Sequence, residues 1–70
     1  MTDHVYAISE LVGSSPDGVE AAVNNALASA SSSVRNLDWF EVTQIRGHLG
    51  ESGEVADWQV GIKLGFRVEK

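Results

Sequence analysis

The 70 residues carry 5 Lys+Arg against 10 Asp+Glu, a formal net charge of −5, with no cysteine and two histidines. That balance argues against nonspecific binding to nucleic acid or anionic membranes, both of which need a net basic face. It also leaves no disulfide, no thiolate nucleophile and no cysteine metal site.

A chain this short is one domain at most, and it removes only about 60% of its unfolded surface from water. Scaffolds of this size need a staple. With no disulfide and no His/Cys cluster at metal-ligand spacing, self-association is the expected one. A hydrophobic content of 43% with 21% charged residues is ordinary globular composition. No apolar run approaches a membrane span, and the opening "MTDHVYAI" lacks a signal-peptide pattern. A cytoplasmic protein without a membrane partner is expected.

Residues 4 to 12, "HVYAISELV", are rich in strand formers, although their alternation is imperfect. "GSSPDG" then breaks the chain and opens a helix. Ser15 suits the N-cap and Pro16 the first helical position, while Asp17 and Glu20 suit the positive end of the helix dipole. Val19, Val23, Ala26, Leu27, Ala30, Val34 and Leu37 recur at helical spacing, which predicts a helix carried through the serine-rich "ALASASSS". Residues 38 to 49 and 54 to 69 read as two further strands joined through "GESG", a hairpin centre. In the last strand Ala56, Trp58, Val60, Ile62, Leu64, Phe66 and Val68 alternate with polar residues and glycines, the pattern of a half-buried antiparallel strand. The fold class is α+β, in the order β-α-β-β, with one helix packed across a sheet.

The second strand has a phase problem. Phe40 and Val42 have the opposite parity to Ile45 and Leu49, so one strand buries both pairs only if it slips by one residue. A β-bulge near Thr43 and Gln44 supplies the slip. All four apolar residues then face the helix, and Trp39, Glu41, Gln44, Arg46 and His48 share the opposite face. That face also receives Gln59, Lys63 and Arg67 from the third strand, with Gly61 and Gly65 among them. Lys70 is a further candidate for it. Glycine within a strand often marks close approach by a ligand or another backbone.

The residues leave three readings of this face open. It is a solvated surface with one chance tryptophan, or a subunit interface with Trp39 as its anchor, or a ligand site. In the last case Trp39 stacks a flat aromatic ring, Gln59 hydrogen-bonds its edge and an arginine forks onto an anionic group.

"ELVGSSPDG", "RNLDWFEV", "IRGHL", "QV" and "GFRVE" fall in this order along nearly the whole chain, which resembles the dodecins, small flavin-binding proteins. The resemblance implies that residues 1 to 70 form a single dodecin-like domain whose three-stranded antiparallel sheet partly wraps one helix. It also implies a homododecamer, a hollow shell with helices outward and sheets inward. In that family flavins bind in antiparallel pairs between symmetry-related tryptophans on the inner face. Trp39 matches that tryptophan and Gln59 matches the glutamine that hydrogen-bonds the flavin's pyrimidine-type edge. Arg46 and Arg67 match arginines that bacterial members use around the flavin and its phosphate. FMN is the implied ligand, with riboflavin or FAD less favoured. Some bacterial members also bind coenzyme A. The chain departs from the pattern at Ala7 and Ser9, where a lysine and a branched apolar residue are expected, and at Gly61, which replaces a residue with a side chain.

The expected function is storage and quenching of flavin without catalysis. A ring held between a second flavin and Trp39 has little face left for a substrate, and no nucleophile–base pair or carboxylate dyad stands at recognisable spacing. Asp38 is expected to point away from Trp39 as a cap or ion-pair partner, and His48 to be solvated or at an interface. A shell that carries coenzyme A or another nucleotide, and a ligand-free assembly module, are the alternatives.

Overall fold

The computed structural model describes residues 3–69, so Lys70 lies outside the described residues. Strand β1 (Tyr6–Ser15) leads to helix α1 (Val19–Ser31), and β2 (Leu37–Leu49) and β3 (Val55–Arg67) follow as a long hairpin. The three strands form one sheet in the order β1-β3-β2, antiparallel throughout. This is the α+β, β-α-β-β fold read from the sequence.

The hairpin turns where "GESG" stands. The Gly50 N–H donates to the Glu54 carbonyl at 2.7 Å and the Gly53 N–H to the Gly50 carbonyl at 3.0 Å. Gly53 takes a φ of 86° that suits glycine. The bulge falls where the phase conflict requires it: Val42 pairs with Ile62, Gln44 with Gly61, and Thr43 is passed over. Phe40, Val42 and Ile45 thereby pair with Leu64, Ile62 and Val60 on the helix side.

Two expectations about the helix fail, each for a local reason. Ser15 does not cap it. It ends β1 in register with Trp58, and its hydroxyl accepts the Asp17 N–H at 3.0 Å to make the turn. The N-cap is Gly18 instead, at a φ of 135°. At the other end the helix stops at Ser31 and does not continue to Leu37. The hydroxyls of Ser31, Ser32 and Ser33 bond back to the carbonyls of Ala28, Ser29 and Ala30 at 3.0, 2.7 and 3.5 Å, offering the backbone an exit from the helix. Asn36, at a φ of 65°, then turns the chain into β2. Val34 sits in that connection, and Leu37 reaches the core from the strand.

The core is small: Ala22, Val23, Ala26 and Ala30 of α1 against Val60, Ile62 and Leu64 of β3. Small helix residues let α1 lie tight on the sheet. At Gly13 of β1 an added Cβ would land on the Ala22 carbonyl and 2.9 Å from the Ala26 Cβ. A helix of 13 residues is about 20 Å long, whereas strands of 13 residues run to about 44 Å. The helix therefore cannot cover the hairpin, and it packs on β1 and β3. The expectation that Phe40, Val42, Ile45 and Leu49 are buried by it is wrong: they line the helix side of β2 yet stay exposed, Ile45 by 55% and Leu49 by 70%.

The molecule is correspondingly drawn out, 56 × 20 × 14 Å. Its radius of gyration is 14.6 Å, against about 11 Å for a compact domain of this length.

Candidate functional site

Strand register lays out the sheet face opposite the helix as a series of rows. Tyr6 stands beside Arg67, then Ile8, Gly65 and Trp39 make a row, then Glu10, Lys63 and Glu41. Val12, Gly61 and Gln44 follow, then Ser14, Gln59 and Arg46, and finally Asp57 with His48. Trp39, Arg46, Gln59 and Arg67 therefore share this face, as the parity of the two long strands predicts.

They share a face but not a place. Trp39 pairs with Gly65 and Arg46 with Gln59. Six residue steps along β3 take Gln59 to Gly65, about 20 Å of antiparallel strand. Within one chain Trp39 and Arg67 occupy one end, and Arg46 and Gln59 the other.

At the Trp39 end the glycine decides the geometry. A Cβ on Gly65 would fall inside the Trp39 indole, so the ring lies across β3 where any side chain would have held it off. One face of the indole is backed by the strand, and the residue remains 40% exposed. The indole reaches toward β1, with its ring centroid 6.2 Å from that of Tyr6 at an interplanar angle of 54°. The Tyr6 hydroxyl donates to the Asp38 carboxylate at 2.9 Å. That hydrogen bond, with the negative charge behind it, raises the phenol above its ordinary 10.0, and Arg67 pulls the other way.

Asp38 thus does not stand apart from the tryptophan as expected. The ladder slips between Leu37 and Trp39, so Asp38 has no opposite number on β3 and its side chain is free to reach Tyr6. Sequence reading passed over Tyr6. Its even position in the first strand was the usable signal, obscured by that strand's imperfect alternation.

At the other end the Arg46 guanidinium donates to the Gln44 side-chain carbonyl at 3.2 and 3.1 Å, and Arg46 stands in register with Gln59. His48 is solvated, as expected, its side chain 64% exposed, and its Nδ1 lies 2.9 Å from an Asp57 carboxylate oxygen. Between the two ends Lys63 is flanked by Glu10 and Glu41, which balance its charge locally. A hollow of about 530 Å³ opens over Gly61, walled by Glu10, Val12, Thr43, Gln44 and Lys63. A side chain at Gly61 would occupy its floor. No group of three or more metal-ligating side chains occurs among the described residues.

The family model described as Dodecin matches residues 5–69. The chain belongs to the dodecin family. It is 53% identical to the dodecin of Thermus thermophilus over 66 residues, 94% of each chain. The dodecin structure from Streptomyces coelicolor superposes with a TM-score of 0.92 at 58% identity, covering 100% of this chain and 99% of that one. The dodecin from Streptomyces davaonensis gives 0.91 at 45% identity, covering 99% and 100%.

Proposed function

We propose that this dodecin binds flavin, with FMN as its ligand, and stores it without turning it over, as a single-domain subunit of a cytoplasmic homododecamer. The observation that carries the reading is the Trp39 platform: an indole laid on Gly65, one face backed by backbone and the other open, with Arg67 two residues further along the same strand face. A flat heteroaromatic ring fits the open indole face. A guanidinium alongside suits a phosphate. When bound, the flavin supplies the redox and light-absorbing chemistry, and the residues of the chain orient it and exclude other reactants.

The separation of about 20 Å along β3 between the register positions of Trp39 and Gln59 fits this reading only if the site is composite. The amide that hydrogen-bonds the ring's edge, and Arg46 beside it, come from a second copy. Self-association is supported independently by the extended shape and by the bare apolar strip Phe40, Val42, Ile45 and Leu49 on β2. Sheets turned toward the inside of a shell bring these rowed faces near one another. A ring enclosed between the indole and a second flavin offers no open face to a substrate, which is why storage is favoured over catalysis.

Titration of FMN into the protein, followed by flavin fluorescence, tests the proposal. The parent protein quenches the flavin on binding. Stacking of this kind is worth about 1–3 kcal/mol by truncation, so Trp39→Ala weakens binding by about 5- to 150-fold. A Trp39→Ala variant that binds and quenches like the parent rejects the function. A monomer-sized species in light scattering at micromolar concentration rejects the assembly.

A further inference from the structure

Tyr6 is the only tyrosine in the chain, and the fold gives it two partners at once. Its ring lies 6.2 Å from the Trp39 indole, centroid to centroid, and its hydroxyl proton points at a carboxylate oxygen 2.9 Å away. Three features of the backbone bring this about. Gly65 lets the indole lie across β3, the pairing of Tyr6 with Arg67 puts the phenol on the same face, and the ladder slip frees Asp38 to reach over.

We propose that Tyr6 and Asp38 form a proton-coupled electron relay that refills Trp39 after the indole has lost an electron. The inference rests on the flavin reading only for the oxidant, a photoexcited flavin that removes one electron from the indole. Tyr6 then gives one electron to the Trp39 radical cation and its phenolic proton to Asp38. The indole is restored, the hole rests on a neutral tyrosyl radical, and Asp38 becomes a carboxylic acid. Recombination returns the electron to the phenoxyl oxygen and the proton from Asp38, so nothing is consumed.

The chemistry requires the carboxylate. An oxidised phenol is a very strong acid, so a tyrosine donates an electron readily only when its proton has somewhere to go. An ionised Asp38 has acceptor capacity alone. In the resting state the phenol is protonated, as at any pH below its ordinary range, and the hydrogen bond aims its proton at the acceptor. Moving the hole onto a neutral oxygen-centred radical, one residue further from the ligand, takes the cationic charge off the indole that the ring stacks on.

The test needs no flavin. Azidyl radicals from pulse radiolysis oxidise tryptophan in the ligand-free full-length protein, and transient absorption follows tryptophanyl and tyrosyl radicals separately. The expected result is a delayed growth of tyrosyl absorption matching decay of part of the tryptophanyl signal. Trp58, on the helix side of the sheet in register with Gly47, accounts for the remainder. The delayed growth is lost in Tyr6→Phe and in Trp39→Phe, and it slows in Asp38→Asn and for the unmodified protein in D₂O. Delayed growth that survives Trp39→Phe overturns the relay. So does a rate indifferent to both Asp38→Asn and D₂O, which would leave the Tyr6–Asp38 bond a structural contact only. The D₂O comparison uses unmodified protein and does not depend on any variant folding. Failure of FMN to bind leaves this result standing, so the two readings fail separately.

Discussion

On one side of β3, Val60, Ile62 and Leu64 are sealed beneath the alanines of α1. On the other side the same strand carries Gln59, Lys63 and Arg67, flanked in register by residues of β1 and β2. The first side is fixed by close packing, where a lost methylene leaves a void. The second has no such layer: Gln59 and Lys63 are half-buried and Arg67 is exposed, and side chains there contribute little to stability. Residues on the open side are thus free to be chosen for what they bind. The helix side also divides, because α1 seals β1 and β3 but stops short of β2. Its uncovered strip has the composition of a core and the exposure of a surface, which is the condition of an unmade interface.

The contrast between sealed and open sides breaks most visibly under truncation. Leu64, 1% exposed, loses a cavity's worth of contacts on Leu64→Ala, and urea unfolding is expected to report a loss of about 2–5 kcal/mol. Arg46→Ala, on the open side, stays within about 0.5 kcal/mol of the parent. Comparable losses from the two would mean that the open side is covered by something other than a ligand.

Next in size is the difference within the helix side itself. Ile45→Glu puts a charge on the uncovered strip. In an isolated chain it changes little, since the site is already open to water. In an assembly it buries an unpaired carboxylate in every contact, and each lost apolar side chain alone removes about 1.5–3 kcal/mol. Light scattering is expected to show a smaller particle with an unchanged far-ultraviolet circular dichroism spectrum. A particle of unchanged mass would put the interface elsewhere.

The same division explains what could be read from the chain. The sealed side of β3 was legible because a strict period of two over Val60, Ile62 and Leu64 has one physical meaning. The bulge was legible because two apolar pairs of opposite parity allow one resolution. Helix ends were not, because hydrophobic spacing continues through Val34 and Leu37 while the serines at 31 to 33 terminate the helix through side-chain hydrogen bonds that carry no periodicity. The cover of β2 was misread for a different reason: parity gives the side of a sheet, not the reach of the helix above it. On the open side, parity placed Trp39, Arg46, Gln59 and Arg67 together, yet only register reveals that the first and third stand about 20 Å apart along the strand. Asp38 escaped because a ladder slip breaks the parity rule at that residue, and Tyr6 because the alternation of the first strand is imperfect.

A finer separation lies along the open side, between groups that meet a ring and groups that meet a phosphate. Arg67→Gln removes a charge-assisted contact worth about 1.5 kcal/mol or more, so FMN binding is expected to weaken by about tenfold while riboflavin, which has no phosphate, is spared. Added salt should reproduce that selectivity, because it screens the charge and leaves stacking alone. Equal losses for both ligands would move the phosphate contact away from Arg67.

The smallest expected effect is spectroscopic, and it isolates one pair on the open side. In the folded protein the Tyr6 phenol is raised above 10.0, first by its hydrogen bond to Asp38 and then by burial and that residue's charge. The bond exists only while the phenol keeps its proton. Its contribution is therefore fully present below the ordinary phenol range and lost as pH rises through the higher folded value. Ultraviolet difference titration of this single tyrosine should show ionisation displaced upward, and Asp38→Asn should bring it back toward the ordinary value. Removing the carboxylate also removes a repulsive charge, and Arg67 remains to favour the phenolate, so the return should be larger than loss of one neutral hydrogen bond would give. A tyrosine that titrates identically with and without the Asp38 carboxylate would mean that the phenol proton has no acceptor there. The open side would then hold Trp39 with no route for its hole.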